Sequence, residues 1–179
     1  MFHLPFGRRG RFAAVALFVS VAAGQAACAQ TVCVEDIPRQ PADHCTVGQP
    51  EIRPLQPLTL VTDKGRYVFQ VEDASNCNQR EIGLMCRKSM AADRGMLFDF
   101  KKPTADVAFW MRNTLIPLDI VFIRPDGRVL SIARNAQRLD ESPLPAGGVI
   151  RGVLELAAGR AAQIGLMPGD KVAHRIFPQ

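Results

Sequence analysis

The chain has 179 residues, 47% hydrophobic and 22% charged, with a formal net charge of +5 and a pI near 9.2. Three basic residues, Arg8, Arg9 and Arg11, precede an apolar run at 12–24, and this pattern reads as a secretory leader. Cutting after residue 29 leaves 19 basic against 17 acidic residues, so the basicity is mostly leader; no basic stripe with interleaved aromatics remains, which excludes nucleic acid as the main expected partner.

The apolar core of the leader is short for a membrane span, which needs about 20 residues. Ala27-Cys28-Ala29 fits the small-x-small cleavage pattern, so cleavage near Ala29 and a periplasmic or secreted location are expected, with no transmembrane span in the mature chain. The rival is a lipoprotein acylated at Cys28, against which Gln25 stands where an aliphatic residue is usual. The remaining 150 residues suffice for one domain burying about 70% of its extended surface.

Cleavage leaves Cys33, Cys45, Cys77 and Cys86, an even set that reads as two disulfides with three possible pairings. The local solution, Cys33 with Cys45 and Cys77 with Cys86, is favoured; each bond would close a loop of about ten residues and contribute about 2–3 kcal/mol. A metal site from Cys33, His44 and Cys45 lacks paired C-x-x-C knuckles, and a reactive thiol at Cys86 would need a lowered pKa.

Residues 30–57 are polar and proline-rich without a period of 3.6 or 2, and read as an extended arm. The folded domain, 58–179, opens with "LTLVT" and "RYVFQVE" as a hairpin turning at Gly65. Asn76 and Gln79 form a capping-box pattern that starts a helix over 77–85. "GMLFDF" and 107–111 read as strands. Pro117 opens a third, 118–123, apolar on both faces except at Asp119, as expected in mid-core. Pro125-Asp126-Gly127 turns into 128–133, and 134–148 is a long polar loop of the kind that often carries function. "VIRGVLEL" returns as a strand, "AAGRAAQIG" as a short helix, and 171–177 as a last strand. About eight strands and two short helices, separated by turns, favour a mainly β fold: an antiparallel sandwich or partly open barrel.

The run Gly83-Leu84-Met85-x-Arg87, then Arg94-Gly95-Met96-Leu97-Phe98, then Phe109-Trp110-Met111-Arg112-Asn113-Thr114 with Ile116-Pro117-Leu118-Asp119, then Val153-Leu154-Glu155, and finally Gly165-Leu166 with Gly169-Asp170 resembles domain of unknown function family 192, over roughly 58–177. The resemblance implies a jelly-roll-like β structure with short helices in a secreted or membrane-associated protein, and it assigns no activity. This chain departs from the pattern at Cys86, which together with Cys77 suggests a local disulfide.

Asp119 enters the most apolar strand and must find partners, because an isolated buried carboxylate would protonate. It serves either as a polar peg satisfied by the turn at Asn113 and Thr114, or as a ligand-contacting group with Asn113 beside Trp110. Trp110 alternates with Phe109 and Met111, so if those two face the core the indole lines a cleft. Arg87 could clamp an anion or pair with Asp106, Asp119 or Glu155. Asp119 with Glu155 would be a glycosidase-like carboxylate pair.

The nucleophile elbow, the zinc-protease helix motif, the P-loop and the dinucleotide fingerprint are all absent, so no cofactor is expected. Met85, Met90, Met96 and Met111 could suggest copper, but methionine at such positions is ordinary core filling, and no metal is expected. Two readings follow. The first is a binding or interaction module whose cleft, built from Trp110, Arg112, Asn113, Asp119 and loop 134–148, takes a small molecule or a cell-envelope component. The second is a metal-independent hydrolase or lyase using Asp119 with Glu155 or Arg87. Neither the ligand nor the oligomeric state is legible.

Overall fold

The computed structural model describes Cys45 and residues 53–178. The expected leader, its cleavage point, Cys28, Cys33, His44 and most of the proline-rich arm lie outside the described residues.

Alternation of apolar and polar residues makes β1 (Leu55–Thr62) and β2 (Gly65–Ala74) a hairpin in which Leu58, Leu60, Phe69 and Val71 are buried. Gly65 carries the turn at φ 137, a conformation other residues rarely adopt. The capping box predicted at Asn76 is formed: its Oδ1 accepts from the Gln79 N–H at 2.9 Å, and Gln79 Oε1 accepts from the Asn76 N–H at 3.2 Å. The helix it starts, α1 (Cys77–Ile82), is shorter than the sequence suggests, because Gly83 ends it at φ 49. A side chain at Gly83 would also crowd the Phe98 ring, 3.1 Å from the position of a Cβ.

β3 (Arg94–Thr104) follows, then the two-residue β4 (Ala108–Phe109), β5 (Leu118–Ile123), β6 (Val129–Ala136), the two-residue β7 (Leu144–Pro145), β8 (Ile150–Ala157), the one-turn α2 (Arg160–Gln163) and β9 (Lys171–Ala173). Seven strands form one sheet in the order β6-β5-β8-β3-β2-β1-β9, and β4 pairs with β7 separately. The fold is therefore mainly β, as expected: a curled half-barrel with a second small sheet and two short helices. Neighbours pair antiparallel except β2 with β3, which run parallel because α1 carries the chain back between them.

The curl brings the two edge strands together. The N–H of Val129 donates to the Asp170 carbonyl at 2.9 Å and the N–H of Val172 to the Gly127 carbonyl at 2.8 Å, with a bridge at Arg128 and Lys171. Leu97, Val121, Ile123, Val129, Leu154, Leu156 and Val172 fill the side enclosed by this curl, with Ala161 and Ile164 of the α2 segment packed on them. Met96, Phe98, Leu118, Ile120, Phe122 and Val153 face the other way and pack against Leu84, Met111 and Ala146. All six residues of β5 are buried, as a strand covered on both faces requires. Gly95 lets β3 approach β8, since a Cβ there would lie 2.7 Å from the Glu155 carbonyl.

The local disulfide pairing is corrected. Cys45 bonds Cys86 across 41 positions, with their Cα atoms 5.2 Å apart; Cys77 is also disulfide-bonded. Sequence proximity favours short loops entropically, but position in the fold decides. Cys86 lies in a turn at φ 62 whose N–H is held by the Asn113 carbonyl at 2.8 Å, and it is Cys45 that reaches this turn.

Candidate functional site

A cleft of about 170 Å³ opens between the α1 segment and the sheet. Arg80, Glu81 and residues 82–85 form one wall; Phe98 of β3, Phe109 of β4, Trp110, Arg112 and Thr114 form the others, and Glu155 of β8 completes the lining. Phe109 stands edge-on to both Phe98 and Phe122, with centroids 5.0 and 5.9 Å apart, so the aromatic floor is held rigidly.

Glu155 is placed by strand alternation. Leu154 and Leu156 point into the enclosed core, so the carboxyl between them points to the opposite face, beside Met96 on β3 and Ile120 on β5. It is 5% exposed, and its Oε2 has no hydrogen-bond partner. Burial alone pushes its pKa up to about 8, so at neutral pH the group is mostly a neutral acid able to donate a hydrogen bond.

At the mouth, Trp110 is 42% exposed. The Arg112 guanidinium stacks 4.2 Å over the indole and donates from Nη2 and Nε to one oxygen of Glu141, at 2.7 and 3.1 Å. Loop 134–148 contributes by holding this turn. The N–H of Met111 donates to the Asp140 carbonyl at 2.7 Å, and the N–H of Leu139 to the Thr114 carbonyl at 3.2 Å. The loop is more ordered than its composition suggests: its first residues complete β6, and β7 lies within it.

The other expected site residues are elsewhere. Asn113, at φ 54, does not line the cleft; its carbonyl anchors the Cys86 turn. Asp119 is fully buried on the enclosed side, where Oδ1 accepts from the Asn135 N–H at 2.9 Å and Oδ2 from the Ala161 N–H at 2.8 Å. It is a polar peg, but its partners are a bulge in β6 and the start of α2 rather than the Asn113–Thr114 turn. Arg87 pairs with none of Asp106, Asp119 or Glu155. Its two terminal nitrogens donate to the two oxygens of Glu72 at 2.7 Å each, in a buried bidentate pair. That pair borders a separate hollow of about 260 Å³ lined by Leu55, Ser89, Met90, Ala91 and Arg94.

Sequence reasoning missed Phe98, Arg80 and Glu81 as cleft residues. The capping box at Asn76 was the available signal, because a helix starting there sets residues 80 and 81 within one turn of its end. Among the described residues no three His, Cys, Asp or Glu side chains gather closely enough to hold a metal ion, and no helix is long and apolar enough to cross a membrane.

A curled β half-barrel with a small aromatic cleft on its outer face, lined by a buried carboxyl whose Oε2 is unpaired among the described residues, defines the class. The chain belongs to the family DUF192, described as Uncharacterized ACR, which matches residues 59–174. It is similar to a protein of unknown function from Novosphingobium aromaticivorans DSM 12444, at 42% identity and a TM-score of 0.66 over 72% of this chain and 94% of that one. It is also similar to a Sinorhizobium meliloti 1021 protein described as a candidate transcription regulator, at 38% identity and a TM-score of 0.68 over 72% of this chain and 100% of that one. No curated protein matches the chain.

Proposed function

We propose that the protein is an exported binding module whose small-molecule ligand seats in the cleft beside Trp110, with Glu155 at its base. The observation that carries this reading is the Glu155 carboxyl, buried in the lining of the aromatic cleft with an oxygen that finds no hydrogen-bond partner among the described residues. A buried polar atom of this kind costs about 1–3 kcal/mol, a cost that a ligand entering the cleft removes. Export is supported by the basic-then-apolar leader and by the Cys45–Cys86 disulfide, a bond that persists in oxidising compartments. The ligand is a free small molecule or a component of the cell envelope.

The enzyme alternative has less support, because Asp119 and Arg87 are both engaged away from Glu155. A fragment screen followed by the Trp110 indole NMR signal tests the binding reading. Compounds that move this signal in the wild type and not in Glu155→Gln are the expected result; fragments that bind only away from Trp110 overturn it.

A further inference from the structure

We propose that the ligand of this cleft is a small organic cation, an alkylammonium or quaternary ammonium group seated between the Glu155 carboxylate and the rings of Phe98, Phe109 and Trp110. The inference rests on the binding reading above and names its ligand class.

Three features of the cleft converge on a cation. The first is the unpaired Oε2 of Glu155: no cation among the described residues pairs with it, although a buried carboxylate normally draws one. The second is the lining. Three aromatic rings around one carboxyl are the arrangement that attracts an organic cation, through the negative ring faces and the opposite charge together. The third is size. A volume of about 170 Å³ is the share of about six water molecules, which fits an ammonium head group and a short chain.

The charges around the cleft permit this. Arg112 is neutralised by Glu141, and the Arg80 guanidinium is turned to the carbonyls of Ser75 and Asp99 at 3.1 and 3.0 Å, with Glu81 beside it on α1. On the strands flanking Glu155 the facing residues, Met96 and Ile120, carry no charge, and beyond Met96 the Glu72–Arg87 pair is internally balanced. Among the described residues ionised Glu155 has no ion-pair partner, and a monovalent ligand balances it. Because burial keeps the empty site protonated below about pH 8, cation binding there releases one proton from Glu155 to solvent.

The test uses choline and its uncharged isostere 3,3-dimethylbutan-1-ol, with titration calorimetry and Trp110 fluorescence on the intact mature protein. Choline is expected to bind at least tenfold more tightly than the isostere, with affinity rising about tenfold per pH unit from 6 towards 8 and then levelling. Glu155→Gln should lose at least tenfold, and Phe109→Leu, which keeps apolar volume and removes a ring, several-fold. Phosphatidylcholine vesicles form a further arm: Glu155-dependent vesicle binding assigns the cation to a lipid head group, and its absence beside choline binding assigns it to a free solute. Equal, Glu155-dependent binding of choline and the isostere overturns the cation and leaves the cleft reading standing. Failure of choline to bind at millimolar concentration also overturns it, while the fragment screen judges the cleft separately.

Discussion

Asp119 on β5 and Glu155 on β8 lie on adjacent rungs of one strand pair and point to opposite sides of the sheet. Asp119 stands opposite Leu156 and Ile120 opposite Glu155, so one step of register separates a carboxylate held by two backbone N–H groups from a carboxyl whose Oε2 finds no partner among the described residues. The two cannot act on one substrate, and they should respond to mutation in different ways.

Asp119→Asn should destabilise the fold without touching the cleft. The amide turns an N–H₂ group toward one of two backbone donors, leaving the Asn135 or the Ala161 N–H unsatisfied. The expected loss is about 2–3 kcal/mol, and the melting temperature should fall by on the order of 5–10 °C. Ligand affinity at Trp110 should stay within about twofold; a loss of binding at unchanged melting temperature would contradict the peg assignment.

Glu155→Gln should change the pH dependence of stability. The pKa of Glu155 is raised to about 8, so between its ordinary value of 4.5 and about 8 the folded chain holds a proton that the unfolded chain has released. Stability therefore falls as pH rises through that window, by as much as about 5 kcal/mol at roughly 1.4 kcal/mol per pH unit. His174 works in the other direction: burial, with Arg175 beside it, lowers its pKa, so its contribution is lost as pH falls below 6.5. The variant leaves His174 untouched, so the difference between wild-type and Glu155→Gln urea midpoints isolates Glu155. That difference should grow in favour of the variant from pH 5 to pH 8.

The role of Asp119 was legible in kind, and its partners were not. An apolar run on both faces marks a central strand, and a lone carboxylate within it must be hydrogen-bonded. Which N–H groups it meets depends on a β6 bulge and on α2, 16 and 42 positions away. The β1–β2 hairpin, the capping box and the turn at Gly127 were readable because each is decided within a few residues. The parallel β2–β3 pair, the cutting of the expected 107–111 strand to the two residues of β4, its partner β7, and the Cys45–Cys86 bond were not, because each is set by which distant segments the curl brings together. Glu155 was visible as the residue opposite Leu154 and Leu156 in alternation. Its lack of a partner belongs to the packing of three other elements around it.

Arg87→Met should be among the costliest single changes. Removing the guanidinium strands Glu72 in a buried setting where its two oxygens are both used, and the expected loss is about 3–5 kcal/mol. Adding Glu72→Leu should recover most of that loss, because the uncompensated charge is then gone. Urea denaturation of the two single variants and the double variant measures the coupling; additive losses would show that the pair is not interacting.

Peptide mapping of the unreduced protein should yield a fragment joining Cys45 to Cys86. Cys86→Ser opens a loop of 41 positions, whose entropy is worth about 4 kcal/mol in the chain-entropy description. The melting temperature of this variant should become insensitive to the reduction of that bond. A Cys77–Cys86 fragment would restore the local pairing that the fold argues against.

The most direct measurement is a carbon-detected NMR titration of the Glu155 side-chain carboxyl, first in the empty protein and then at saturating choline. The account predicts a midpoint near 8 in the empty protein and a clear downward move when the cation is bound. A midpoint near the ordinary 4.5 in the empty protein would show that the carboxyl is already solvated or paired, and the cleft as described would not exist.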